Sequence, residues 1–392
     1  MNTTAAFSDQ KDACPIVPLT LLRLIRRLPL HAKNIFIKIV SLLFTPSFTG
    51  FVHTAKAVRS KMNLKEQPDP SSTLSPPVKT NRLIWIDCLR GLAAILVVYF
   101  HISIQSKKAV VSPDGPLNLG LIAVFVFFII SGFVIRLSLD GIKYSNRFLL
   151  RRIARVYPPY LICMSIAILL CFTGIFGEGM LLKQTKLFKL NSSKYILGVM
   201  TMEFENLIGQ SSPLGVDWTL SVELVFYTQI FLIVKMLPGV KYSYLYILIC
   251  FLSLVSDWFR YLPFLYFGTV YWDYHTKKMP IWDCIPLAFL LPLIYYFDNP
   301  AELKFPLSAI FALLIFHTAA SFNRLVENKT TAYLGKISYS LYLVHMLVLG
   351  VNQYFQVPLP VFSGVMFSLA ASHFFYKWIE TPFVKISRKL QN

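Results

Sequence analysis

Acid is what this chain has least of. Its 392 residues include 19 Asp and Glu against 38 Lys and Arg, and charged residues together make up only 15%. Cysteine is sparse too. Cys14, Cys88, Cys163, Cys171, Cys250 and Cys284 are scattered, and no two have the spacing of a metal-binding pair. No metal is therefore expected, and these residues read as small apolar packing groups. No internal repeat is present. The first residues lack the basic segment, apolar core and small-residue site of a signal peptide. The basic excess sits beside apolar segments and comes with no recognition motif, so nucleic acid is not an expected partner.

What the chain has in abundance is apolar surface. Hydrophobic residues make up 55% and aromatics 15%, which excludes a soluble domain with one core. Apolar runs fall at 83–104, 119–139, 158–176, 218–237, 242–257, 259–274, 282–298, 304–322, 333–351 and 357–378. They predict an all-α membrane protein with about ten transmembrane helices, multi-pass in a cell membrane and in contact with its lipids. Arg23, Arg26 and Arg27, then Arg147 to Arg155, Lys277 and Lys278, and Lys385 to Lys389 fall on one side of these spans. That bias puts both termini in the cytosol.

The organisation follows. Residues 1–82 form a basic leader, with helix-spaced apolar residues over 18–51 that suit a membrane surface and a Pro/Ser linker over 66–80. Residues 83–380 are the membrane domain, and 381–392 a short basic tail. The loop 177–217 carries one apolar piece, Tyr195–Met202, too short to span. It fits a cover over a cavity and fits a connector equally.

Chemistry concentrates on a few spans. Arg90 and His101 lie eleven residues apart in one apolar run, so they share a helix face about 16 Å apart along the axis. Asp87 is on that face as well. Ionisable groups at this depth usually mark function, although Asp87 and Arg90 neutralising each other would also satisfy the pattern. Arg152 and Arg155 are helical neighbours, and guanidinium forks suit phosphate oxygens. Topology anchoring is the plainer reading of that pair. Ser131-Gly132 permit close helix approach. Glu223 and Tyr227 are four apart on one face, and Ser338, Tyr342 and His345 share a stripe.

Taken in order, these segments resemble the acyltransferase-3 family of polytopic membrane enzymes. The carriers are Leu89-Arg90-Gly91 with His101, Phe127-Phe-Ile-Ile-Ser-Gly-Phe133, Arg152-x-x-Arg155 with Pro158, Trp218-Thr-Leu-Ser-Val-Glu223, Ser338-Tyr-Ser-Leu-Tyr-Leu-Val-His345 and Ile379-Glu-Thr-Pro-Phe383. One departure stands out. The family often has a second acid and a Gln after the Glu223 position, where this chain has Leu224 and Val225. The resemblance implies an acyl-CoA co-substrate, acetyl-CoA first among them, and a saccharide or glycolipid acceptor. It implies Arg152 and Arg155 at the CoA phosphates, and Arg90 and His101 as the essential pair, with His101 the general base. Glu223, Tyr227, His345 and Trp218 are expected around the acceptor. The rival reading of the same ionisable groups is a flippase of a lipid-linked sugar.

Overall fold

The computed structural model describes residues 83–106, 115–140, 147–172, 192–202, 212–237, 239–355 and 360–390. The expected features of the 1–82 leader lie outside these residues. The helices in chain order are α1 Ile84–Gln105, α2 Leu119–Asp140, α3 Phe148–Phe172, α4 Ser192–Thr201, α5 Trp218–Met236, α6 Tyr242–Ser253 and α7 Leu262–His275. Then come α8 Ile281–Asp298, α9 Lys304–Ser321, α10 Asn323–Val326, α11 Lys329–Tyr354, α12 Val361–Phe375 and α13 Thr381–Lys389. Among the described residues there is no strand.

Each expected span coincides with a helix, and among the described residues seven helices are long and apolar enough to cross a membrane: α1, α2, α3, α5, α8, α9 and α11. The other three, α6, α7 and α12, have 12, 14 and 15 residues, fewer than the roughly 17 that a spanning helix needs. The run of α6 ends in a turn and that of α12 passes into a π-helical turn, Tyr376–Glu380, and composition alone registers neither. The third helix also starts earlier than expected. It runs from Phe148 with Pro158 and Pro159 inside it, so Arg152 and Arg155 belong to the same helix as the apolar run.

Glycines set the helix pairing. A Cβ on Gly132 would run into the backbone of Leu265, and one on Gly268 into that of Ile129 and Phe133, so α2 and α7 touch backbone to backbone. Gly91 and Gly335 do the same for α1 and α11. A Cβ on Gly91 would lie 2.6 Å from the Thr331 carbonyl oxygen, and one on Gly335 2.5 Å from the Asp87 carbonyl carbon. Where helices cannot gain from the hydrophobic effect between them, such close approach supplies van der Waals contact.

The α1–α11 pair has a single register. Gly91 faces Gly335, the His101 and His345 rings meet, and Gln105 donates to the Leu349 carbonyl at 3.1 Å, each at a sequence offset of 244. A constant offset means that the first and ninth of the expected spans run parallel, level for level.

Candidate functional site

A cavity of about 90 Å³ lies between α1, α2, α3, α5 and α11. Three arginines line it, Arg90, Arg152 and Arg155, against one lining carboxylate, Glu223. Tyr227, Ser338, Tyr339 and Tyr342 complete its polar wall, with Phe127 and Phe128 opposite. A larger hollow of about 840 Å³ sits among the ends of α2 and α5–α8. It is an open groove that holds the Arg136–Asp273 bridge at 2.9 Å, and none of the expected catalytic or binding residues lines it. The smaller cavity is therefore the candidate site.

Several of its groups are held by neighbours. Glu223 accepts hydrogen bonds from both sides: Tyr227 donates to Oε2 at 2.8 Å, and Ser131 donates to Oε1. Both carboxylate oxygens are thus occupied, which suits a fixed counter-charge better than a proton acceptor. Arg152 donates to Ser138 Oγ at 3.3 Å and lies over the Tyr227 ring at 5.6 Å. Arg90 shares the cavity with Glu223 of α5, so a carboxylate from another helix stands with it in the site. Tyr339 donates to the Val156 carbonyl at 2.7 Å, tying α11 to α3.

The histidines form a second level. His101 Nδ1 lies 3.0 Å from the Val97 carbonyl and His345 Nδ1 3.1 Å from the Leu341 carbonyl. A carbonyl oxygen only accepts, so each Nδ1 carries the proton and each Nε2 offers a lone pair. The ring centroids are 5.2 Å apart. His345 is fully buried, and its Nε2 has no hydrogen-bond partner among the described residues. Tyr342 joins the two levels. It lines the arginine cavity, and its ring centroid is 5.9 Å from that of His345.

The structure gathers most of the expected site but arranges it differently. Arg90, Arg152, Arg155, Glu223 and Tyr227 share one cavity. His101 and His345 pair one level further along. Arg90 sits with the other arginines and not beside His101, because the eleven helical steps from one to the other are about three turns. His345 takes its hydrogen bond from its own helix. Its expected partners are engaged elsewhere, Tyr342 with the Val216 carbonyl and Thr219 at 2.8 Å each, and Ser338 with Gly335. Trp218 packs on Tyr261 at 4.7 Å and is not among the residues lining the cavity.

Three further groups belong to the site's support. Glu380 is buried and accepts from Ser340 Oγ at 2.6 Å, within electrostatic reach of Arg155 and Arg90. It ends a π-helical turn, Tyr376–Glu380, a feature often found at functional sites, and its signal was the Ile379–Phe383 motif. Asp217, immediately before Trp218, is buried and accepts from Ser212 Oγ at 2.7 Å. With Leu214 and Val216 also buried, the connection into α5 descends into the bundle. Met202 closes the flank. It is buried at φ 61° beside Arg152, Glu223 and Tyr227. The helix before it, α4, is tied down by Tyr157 and Tyr160, which donate to the Met200 and Val199 carbonyls at 2.6 and 3.2 Å. The apolar piece in the long loop therefore lies against the cavity.

A helical bundle that sets partly buried arginines, a glutamate and paired histidines on membrane-length apolar helices has the make-up of a multi-pass membrane protein with a polar site inside it. A family model described as an acyltransferase domain matches residues 83–376, three quarters of the chain, and the chain belongs to this acyltransferase-3 family. It is similar to a protein of Staphylococcus aureus (strain COL) named "Putative O-acetyltransferase", 24% identical over 78% of this chain and 58% of that protein. The corresponding protein of strain N315 matches equally. It is also similar to the "Putative membrane-bound transacylase BcsY" of Komagataeibacter xylinus, 31% identical over 40% of this chain and 39% of that one. The chain thus spans little more than half the length of its Staphylococcus relatives. No solved structure matches it.

Proposed function

We propose that this membrane acyltransferase moves an acyl group, acetyl by preference, from acyl-CoA to a hydroxyl of a saccharide or glycolipid. The observation that carries the reading is the two-level site: an arginine cavity and a histidine pair on one helix register, joined by Tyr342. In this reading both termini are cytosolic and the arginine level is the nearer to the cytosol. The net positive lining suits the phosphates of a CoA, since charge-assisted bonds to arginine forks are the strong ones. A volume of about 90 Å³ is small beside the roughly 300 Å³ at which ligand pockets begin. It fits the narrow acyl-bearing arm with the adjoining phosphates at the arginines, and the bulky adenosine stays outside.

The transfer step balances with His101 alone as base. Its Nε2 takes the acceptor hydroxyl proton while the oxygen attacks the thioester carbonyl. The tetrahedral carbon then expels sulfur, and the imidazolium returns the proton to the thiolate, leaving an ester and a free thiol. A base of this kind is worth about two to four orders of magnitude. His101→Ala should therefore abolish transfer in proteoliposomes while the protein stays in the membrane. His345→Gln, which keeps a hydrogen-bonding side chain, should retain measurable activity where His101→Gln retains none. Near-normal product from His101→Ala would refute the assignment, and the reverse order of the two Gln variants would move the base to α11.

A further inference from the structure

Beyond the histidines the α1–α11 seam stays polar. His345 Nε2, Gln105 Oε1 and Asn352 Oδ1 are all buried and without a hydrogen-bond partner among the described residues. Burying such atoms unmade costs about 1–3 kcal/mol apiece, and native proteins rarely accept several together. Their positions form a row. Gln105 stands one turn past His101 on α1, and its Nε2 donates to Leu349, one turn past His345 on α11. That bond identifies the nitrogen, so the orphaned Gln105 atom is an oxygen. Asn352 stands seven residues past His345, about 10 Å further along the helix. All three are acceptor atoms. Ser368 on α12, fully buried, has its Oγ equally unpartnered among the described residues. It lies one turn from Gly364, whose Cβ position would be 3.1 Å from Ile102 of α1.

We propose that Gln105 and Asn352 are specificity-determining residues for the acceptor. With His345 they line a hydroxyl-recognising route that leads from the C-terminal ends of α1 and α11 down to His101. A row of bare acceptors asks for a ligand rich in donors. A polyhydroxylated acceptor supplies them at every level, and a simple alkanol satisfies one level and leaves the others unmade. Glu223 and Tyr227 satisfy each other and serve the arginine level. This inference rests on the transfer reading for its purpose, but its test does not require transfer.

The experiment is cysteine accessibility in the full chain reconstituted in vesicles. Gln105→Cys and Asn352→Cys are labelled with a hydrophilic sulfonated methanethiosulfonate, against the unsubstituted chain and against Leu349→Cys, which lies on the same stretch of α11 with its side chain buried. Both seam variants should label at least ten-fold faster than Leu349→Cys, and methyl glucoside should slow them where glycine betaine at equal osmolality does not. Labelling as slow as at Leu349→Cys means a closed seam and overturns the proposal. Equal protection by both solutes shows a hydrated route that does not recognise hydroxyls, which overturns it as well. Gln105→Cys and Asn352→Cys report separately, so misfolding of one leaves the other decisive. Labelling of the variants as expected, together with no acyl transfer by the unsubstituted chain, refutes the function proposed above and leaves the seam standing.

Discussion

Gly335→Ala is the substitution that should separate helix register from chemistry. The added methyl carbon would lie 2.5 Å from the Asp87 carbonyl carbon and 2.8 Å from its Cα, and closer still to its carbonyl oxygen. Carbon atoms pack at about 3.5–4.0 Å, and backbone cannot swing aside as a side-chain tip can. At this crossing α1 and α11 must therefore part by about 1 Å. Overpacking of this kind costs about 1–3 kcal/mol, which a bundle of this size survives. The histidines stand ten residues further along the same register, about 15 Å away. A 1 Å misplacement can cost about 10²-fold in rate. The expected result is a folded protein with acyl transfer down about a hundred-fold, measured as initial rate in proteoliposomes at matched protein and checked by thermal unfolding. Gly364→Ala is the control. Its added carbon would meet the Ile102 side chain at 3.1 Å and beyond, not backbone, a contact tight by only a few tenths of an ångström, so its rate should stay near that of the parent. A wild-type rate in Gly335→Ala, or equal losses in both variants, would refute the claim that this register positions the histidines.

Arg152→Ala and Arg155→Ala should each weaken binding of a non-hydrolysable acyl-CoA by about 1.5–3 kcal/mol. Arg152→Lys should also lose affinity, since lysine lacks the planar fork; calorimetric titration giving unchanged affinity in all three would leave these arginines as topology anchors. Glu223→Gln removes the one carboxylate lining a cavity with three arginines and leaves their like charges without an opposing one. Its unfolding temperature should drop along with its activity. An unchanged unfolding temperature with lost activity would make Glu223 a participant in the chemistry and not a counter-charge. Tyr157→Phe and Tyr160→Phe together release α4 from its two carbonyl anchors, and should raise labelling of a Met202→Cys variant by a hydrophilic thiol reagent.

Which of these contacts the sequence could disclose depends on how far apart the partners lie. Glu223 and Tyr227 are four residues apart, and helical periodicity alone places them together; the structure joins them at 2.8 Å. The small pair Ser131-Gly132 marks a close crossing, and Gly132 makes one against Leu265. Periodicity stops at the helix's own surface, however. It shows that Arg90 faces inward, and it does not show that Glu223 of α5 lines the same cavity. It shows a hydroxyl at Ser131 and does not reveal that this hydroxyl is bonded to a carboxylate 92 residues on. The pairing of α1 with α11 is the extreme case. Two apolar stripes can slide past each other by a turn at little cost in buried area, so stripe and composition leave the register open. The backbone contact at Gly91 and Gly335 closes it, because only where both helices lack a Cβ can they come this near. Once that crossing is set, His101 must face His345 and Gln105 must face Leu349 at the same offset. The glycines in two of the sequence motifs, Leu89-Arg90-Gly91 and the Gly335 that precedes Ser338-Tyr-Ser, are thus what turns two separate histidines into one pair.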